Sequence, residues 1–139
     1  MAKFALRKVE TIVAKQEVDE LIIDGSGQWD RFSNEISERH AQYVSELVKM
    51  VDYIAYAANG NSLPDTKFKD VAPQGQSVKE YEFKSKHLRV YAIKKLNGKV
   101  IILGGLKTTQ KADFKRFRSL KEQYLNSLQP HDSRWIFKP

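Results

Sequence analysis

Val100-Ile101-Ile102-Leu103 is an unbroken apolar run, and it limits what this chain can fold into more than any other stretch. A strand with one wet face alternates apolar and polar residues. A strand that is apolar at every position must be covered on both faces. Just before the run, Asn97-Gly98 follows a segment of period two, in which Leu88, Val90 and Ala92 alternate with Arg89, Tyr91 and Ile93. Asn-Gly between two such segments is the strongest short hairpin signal, because both residues tolerate the positive φ of a tight turn. Tyr81 and Phe83 alternate with Glu80, Glu82 and Lys84 and supply a further strand. Gly104-Gly105 is expected to end the apolar strand. The run at 100–103 is therefore the centre of a sheet with material on both sides.

The covering material is helical. Tyr43, Val44, Leu47, Val48, Val51, Ile54, Ala55 and Ala58 recur with helical period. They predict a long amphipathic helix from about Ser37 to Ala58 with Ser37 as N-cap. Asn59-Gly60 offers a left-handed stop, and Pro64 prevents resumption. Trp29, Phe32 and Ile36 mark a shorter helix over Gln28–Ile36. A final helix from about Lys111 to Leu128 puts Phe114, Phe117, Leu120, Tyr124 and Leu128 on one stripe, with Lys115, Arg116, Arg118 and Lys121 largely off it. Residues 4–23 read as one or two strands ended by the turn Asp24-Gly25-Ser26-Gly27; Val9–Val13 fits either a strand or a helix start. The order is strand, two helices, three antiparallel strands, helix. It predicts one α+β domain over residues 1–139: a small twisted antiparallel sheet with an N-terminal helical pair on one face and a C-terminal helix. The tail at 130–139, with Trp135, Ile136 and Phe137, is expected to tuck onto the domain, contact with a partner chain being the alternative.

Charge is segregated along this frame. Residues 1–65 hold 7 basic and 11 acidic side chains, a net of −4, whereas residues 66–126 hold 15 basic and 5 acidic ones, a net of +10. That asymmetry points to a polyanion on the C-terminal half. The chain has no cysteine, which excludes disulfides and thiolate metal sites and fits a cytoplasmic protein. No apolar run approaches the ~20 residues of a membrane span, and Met1-Ala2-Lys3-Phe4 lacks the apolar stretch of a secretory signal. No HExxH or spaced His/carboxylate set suggests a metal, and Asp24–Gly27 lacks the Gly-Lys-Ser/Thr ending of a phosphate loop. No serine sits in a nucleophile-elbow context.

Two stretches carry a family resemblance. Lys79-Glu80-Tyr81-Glu82-Phe83-Lys84-Ser85-Lys86-His87-Leu88-Arg89-Val90-Tyr91 is an aromatic, basic strand and turn leading into an Arg-Val-aromatic strand. Val100–Leu103 with Gly104-Gly105-Leu106-Lys107-Thr108-Thr109-Gln110-Lys111 is an apolar strand, a glycine and a Lys-Thr-Gln-Lys-like loop opening a helix. With the element order and the connection Leu63–Lys69, they resemble the RelE/ParE toxin superfamily, and within it the HigB branch. The likeness covers roughly residues 62–126; the first 36 residues fit by element order alone. One departure stands out. Many HigB-type members carry a histidine just before the loop glycine, where this chain has Gly104, and the loop is a residue shorter. The three histidines, His40, His87 and His131, do not cluster in sequence.

The resemblance implies a metal-independent, cofactor-free endoribonuclease that cuts mRNA on the ribosome by attack of the ribose 2′-OH on the adjacent phosphate. It also implies a cognate antitoxin, usually a helix-turn-helix DNA-binding protein encoded next door. The reaction needs a proton acceptor, cations that stabilise charge at phosphorus, and a donor to the leaving 5′ oxygen. Candidate catalytic residues are Arg89 as a bidentate phosphate fork, Lys107 and Lys111 flanking the loop, Gln110 at the helix start, and His87 for proton transfer. Lys84, Lys86, Lys115 and Arg118 are candidate RNA contacts, and Tyr91 a stacking platform. Arg89 and Lys111 are both expected at the surface. Two other functions suit the same sequence: a non-cutting binder, either a ParE-like gyrase inhibitor or an inactive antitoxin-binding relic, and a general RNA-binding domain.

Overall fold

A computed structural model describes residues 2–128, and the tail residues named above lie outside them. The sheet contains β1 (Phe4–Lys8), β2 (Glu17–Ile23), β3 (Ser26–Gly27), β4 (Phe68–Asp70), β5 (Glu80–Lys84), β6 (Leu88–Lys95) and β7 (Gly98–Leu106). The helices are α1 (Gln28–Arg39), α2 (Val44–Ala58) and α3 (Gln110–Ser127). Strand order is β1-β2-β7-β6-β5-β4, with β3 beside β2. The chain is an α+β protein.

The apolar run is central, as its composition requires. Ile101 joins the cluster of Trp29, Phe32, Ile36, Leu47, Met50 and Ile54 from α1 and α2. Val100 and Ile102 join Tyr91, Phe117, Leu120 and Tyr124 on the α3 face. All of these side chains are buried, and burial of each large one contributes roughly 1.5–3 kcal/mol before entropy is counted. A bulge between Tyr91 and Ala92, which pair with Leu103 and Ile101, leaves Ile102 as an extra residue in β7. Ile102 and Leu103 consequently both pack toward α3.

Several expectations need correction. The sheet is mixed rather than antiparallel, because β2 pairs with β7 in parallel, Glu17 opposite Gly98 through Glu20 opposite Ile101. This pairing explains Gly98: a Cβ there would lie 2.2 Å from the Glu17 carbonyl oxygen. The hairpin turn sits one residue earlier than expected, with Lys95 paired to Gly98 and Asn97 at φ 62°. Gly104-Gly105 does not end β7, which runs on to Leu106.

The helix expected from Ser37 is two segments. Ser37 lies inside α1; the helix breaks at His40 (φ −136°, ψ 49°), passes through a 3-10 turn at Ala41–Tyr43, and restarts at Val44. The apolar stripes of α1 and α2 happen to stay in phase across a break that no Gly or Pro marks. Val9–Val13 is neither strand nor helix; Val9 and Ile12 turn into the α1/α2 cluster. Among the described residues no helix is long and apolar enough to cross a membrane.

Candidate functional site

Beyond Leu106 the chain makes a 3-10 turn at Lys107–Thr109 and enters α3. The turn is tightly tied. The Thr109 hydroxyl donates to the Leu106 carbonyl (3.2 Å) or to Asp113 Oδ2 (2.6 Å). The Asp113 carboxylate lies directly over Gly105, where a Cβ would sit 2.1 Å from Oδ2. Only glycine lets the first turn of α3 approach β7 this closely.

A cleft of about 630 Å³ opens at this helix start, lined by Glu82, Lys107, Thr108, Gln110, Lys111, Phe114 and Lys115. Lys107, Lys111 and Lys115 recur at intervals of four, which brings them to one side of the helix start. All three are exposed, and none has an acidic partner among the described residues. The first amides of α3 add positive partial charge to the same place. Glu82 forms part of the floor and accepts a hydrogen bond from the Gln110 amide at 2.9 Å. Four of the residues expected to meet RNA (Lys107, Gln110, Lys111 and Lys115) thus share one cleft, and Phe114 adds an aromatic wall.

The β5–β6 turn adjoins it. The Lys107 amide donates to the His87 carbonyl at 2.8 Å. Lys86 is exposed and Lys84 half-buried at the end of β5. His87 faces α2: its Nδ1 lies 2.6 Å from Glu46 Oε2, and its ring stacks on Tyr43 at 4.3 Å.

Three candidates prove to be placed otherwise. Arg89 is 7% exposed rather than at the surface. Its Nη1 donates to the carbonyls of Ser85 (2.6 Å) and Leu88 (2.8 Å), so the fork holds the turn instead of a phosphate. The reason is the face it occupies: Arg89 lies in a central strand between Lys84 of β5 and Gly105 of β7, on the same side as Tyr91, which packs against α3. Tyr91 is fully buried and stacks on Phe117 at 5.2 Å, so it is core and no platform for a base. Burial, with the Glu82 carboxylate beside it, raises its phenol well above the usual range. Arg118 is engaged by Glu80 Oε1 (3.2 Å) and the Val71 carbonyl (3.0 Å), with its guanidinium over Phe114. Lys121, expected off the apolar stripe, is buried and donates to Glu80 Oε2 at 2.9 Å.

The sequence reading missed Glu46, Glu82 and Phe114 as parts of this region. Glu46 looks like any polar-face residue of a helix; its partners Ser85 and His87 are 39 and 41 residues away. The departure at Gly104 has a physical cause. A Cβ there would lie 2.4 Å from the Phe32 ring, so a histidine at this place would collide with α1. Among the described residues, no group of three or more His, Cys, Asp or Glu side chains is arranged to hold a metal ion. No family model, curated protein or solved structure matches the chain.

Proposed function

We propose that the chain is an RNA-cleaving toxin of the RelE/HigB type, acting on mRNA at the ribosome in the cytoplasm and held in check by a cognate antitoxin. The observation that carries this reading is the lysine cleft: Lys107, Lys111 and Lys115, exposed and without acidic partners, around the N-terminal end of α3. Cations concentrated at a helix start favour a phosphate backbone. An aromatic wall suits a single strand with unstacked bases better than a duplex. The order of elements, with β5, β6 and β7 between α2 and α3, supports the RelE-like layout.

In this reading Lys107 and Lys111 neutralise the charge that grows on phosphorus, and Lys115 and Lys86 guide the strand into place. His87, whose backbone is bonded to Lys107, exchanges the proton. Gln110 is held by Glu82 and shapes the floor. Arg89 and Tyr91 support the site from within the sheet and make no contact with RNA.

The test is translation of a defined mRNA by purified ribosomes, with primer extension to map new 5′ ends. The wild-type chain is expected to produce cuts, and Lys107→Ala/Lys111→Ala to abolish them. A second reading, a binder that cuts nothing, draws support from the withdrawal of Arg89 into the sheet and from Gly104. Absence of cuts together with inhibited gyrase supercoiling would sink the nuclease reading in its favour.

A further inference from the structure

The β5–β6 turn is gripped from outside the sheet by one side chain of α2. Glu46 Oε1 accepts hydrogen bonds from the Ser85 hydroxyl (2.6 Å) and the His87 amide (2.8 Å), and Oε2 lies 2.6 Å from His87 Nδ1. Tyr43, just before α2, stacks on the imidazole with an interplanar angle of 19°. His40 stacks in turn on the Tyr43 ring. Tyr43 therefore fixes the plane of the His87 ring, and Glu46 fixes its rotation within that plane.

The proton's position follows from the carboxylate. Partial burial disfavours charge on Glu46, but the bonds from Ser85 and His87 outweigh it and hold the carboxyl below its ordinary value of 4.5. An ionised carboxylate facing Nδ1 requires the hydrogen to be on Nδ1. In the neutral ring, Nε2 then carries the lone pair. With Nδ1 taken by Glu46 and one face by Tyr43, the His87 side chain remains 39% exposed. A bracket serving only to pin the turn would be complete with the Ser85 hydroxyl and the His87 amide. The third contact adds something different, a fixed tautomer.

We infer that Glu46 is a positioning residue that holds His87 in its Nδ1–H tautomer and makes Nε2 a proton acceptor at the β5–β6 turn, whose backbone is bonded to Lys107 of the cleft. This deepens, and rests on, the RNA-cleaving reading. In the reaction, Nε2 takes the proton of a ribose 2′-OH as the 2′ oxygen bonds to phosphorus. The bond from phosphorus to the 5′ oxygen breaks, and that oxygen takes a proton from the Lys107 ammonium, the cleft cation whose backbone is bonded to His87. The products are a 2′,3′-cyclic phosphate and a 5′-hydroxyl. Exchange with water then returns the imidazolium and the neutral lysine to their starting states.

Two measurements on the full chain test this. The first is long-range proton–nitrogen NMR of the imidazoles, which reads the tautomer with no RNA present. The second is cleavage of ribosome-bound mRNA by the wild type, Glu46→Gln and Glu46→Asp, each first shown to be folded. The wild type is expected to show Nδ1–H. Glu46→Gln, whose amide can donate to Nδ1 as well as accept from it, is expected to lose that preference and about 100-fold in kcat, with KM unchanged. Glu46→Asp keeps a carboxylate and is expected to recover most of the loss. A wild-type ring protonated on Nε2 overturns the inference. So does full kcat in Glu46→Gln, and so does an equal loss in both variants; in these three cases the cleavage reading survives. A wild-type chain that cuts no RNA overturns the reading itself, and the inference falls with it.

Discussion

Lys107, Lys111 and Lys115 ring the start of α3, and Arg118 and Lys121 follow within two turns of the same helix, yet the two sets meet different surroundings. The first three line a cleft and have no acidic partner among the described residues. The other two converge on Glu80, whose side chain is only 3% exposed, with Arg118 on one oxygen and Lys121 on the other. The positive charge of the C-terminal half therefore divides into a part that closes the fold and a part available to a ligand. A net of +10 over residues 66–126 counts both alike. Separating them takes the position of Glu80, which lies 41 residues before Lys121.

The division can be broken most forcibly at Glu80. Glu80→Ala leaves the Lys121 ammonium buried without its counter-ion, and removing one member of a buried pair costs about 3–5 kcal/mol. Urea unfolding should show that loss; a cost below ~1 kcal/mol would mean that the pair is not the anchor of α3. Arg118→Gln is the milder probe. Its side chain is 42% exposed, and a screened pair of that kind contributes about 0–1 kcal/mol. A larger loss would place Arg118 with Lys121 as a structural cation in full. The triple variant Lys107→Gln/Lys111→Gln/Lys115→Gln should leave stability within about 0.5 kcal/mol, because exposed side chains outside any network rarely matter more.

Glu46 gives the smallest effect, and one that fades in acid. Its carboxyl is held below its ordinary value of 4.5 in the folded chain. Its contribution is fully present above the unfolded value and is lost as pH falls through the folded one. Glu46→Gln should therefore lower stability slightly near neutrality and flatten the acid limb, its curve meeting the wild type's as pH falls through the folded value. An unchanged acid limb would mean that Glu46 is not charged against the turn.

Local pattern is a good guide here wherever the partner is close in the chain or is simply the core. The stripes of α1 and α3 and the two-sided burial of Val100–Ile102 follow from side-chain periodicity alone. Periodicity misleads where a second layer arrives from far away. Arg89 and Tyr91 alternate with apolar residues, which reads as a wet face, but α3 covers that face and makes it interior. The parallel pairing of β2 with β7 joins strands separated by two helices and a hairpin, and only the tolerance for Gly98 hints at it. Ser37 has N-cap chemistry, yet the register of Ile36 carries α1 past it. In the site, Lys107, Gln110, Lys111 and Lys115 could be grouped from sequence because one turn and one helix carry them all. The grip of Glu46 on His87 joins elements with no local signal in common.

The claim that the cleft receives RNA is tested most directly by its salt dependence. Binding of a short fluorescent single-stranded RNA should be followed by anisotropy over a range of salt concentrations for the wild type, the triple lysine variant and Arg118→Gln. Each phosphate contact contributes about 0.7 to the slope of log affinity against log salt for a single strand, so three lost contacts should lower the slope by about 2. That reduction is expected for the triple variant, and an almost unchanged slope for Arg118→Gln. Equal slopes in the wild type and the triple variant would contradict it.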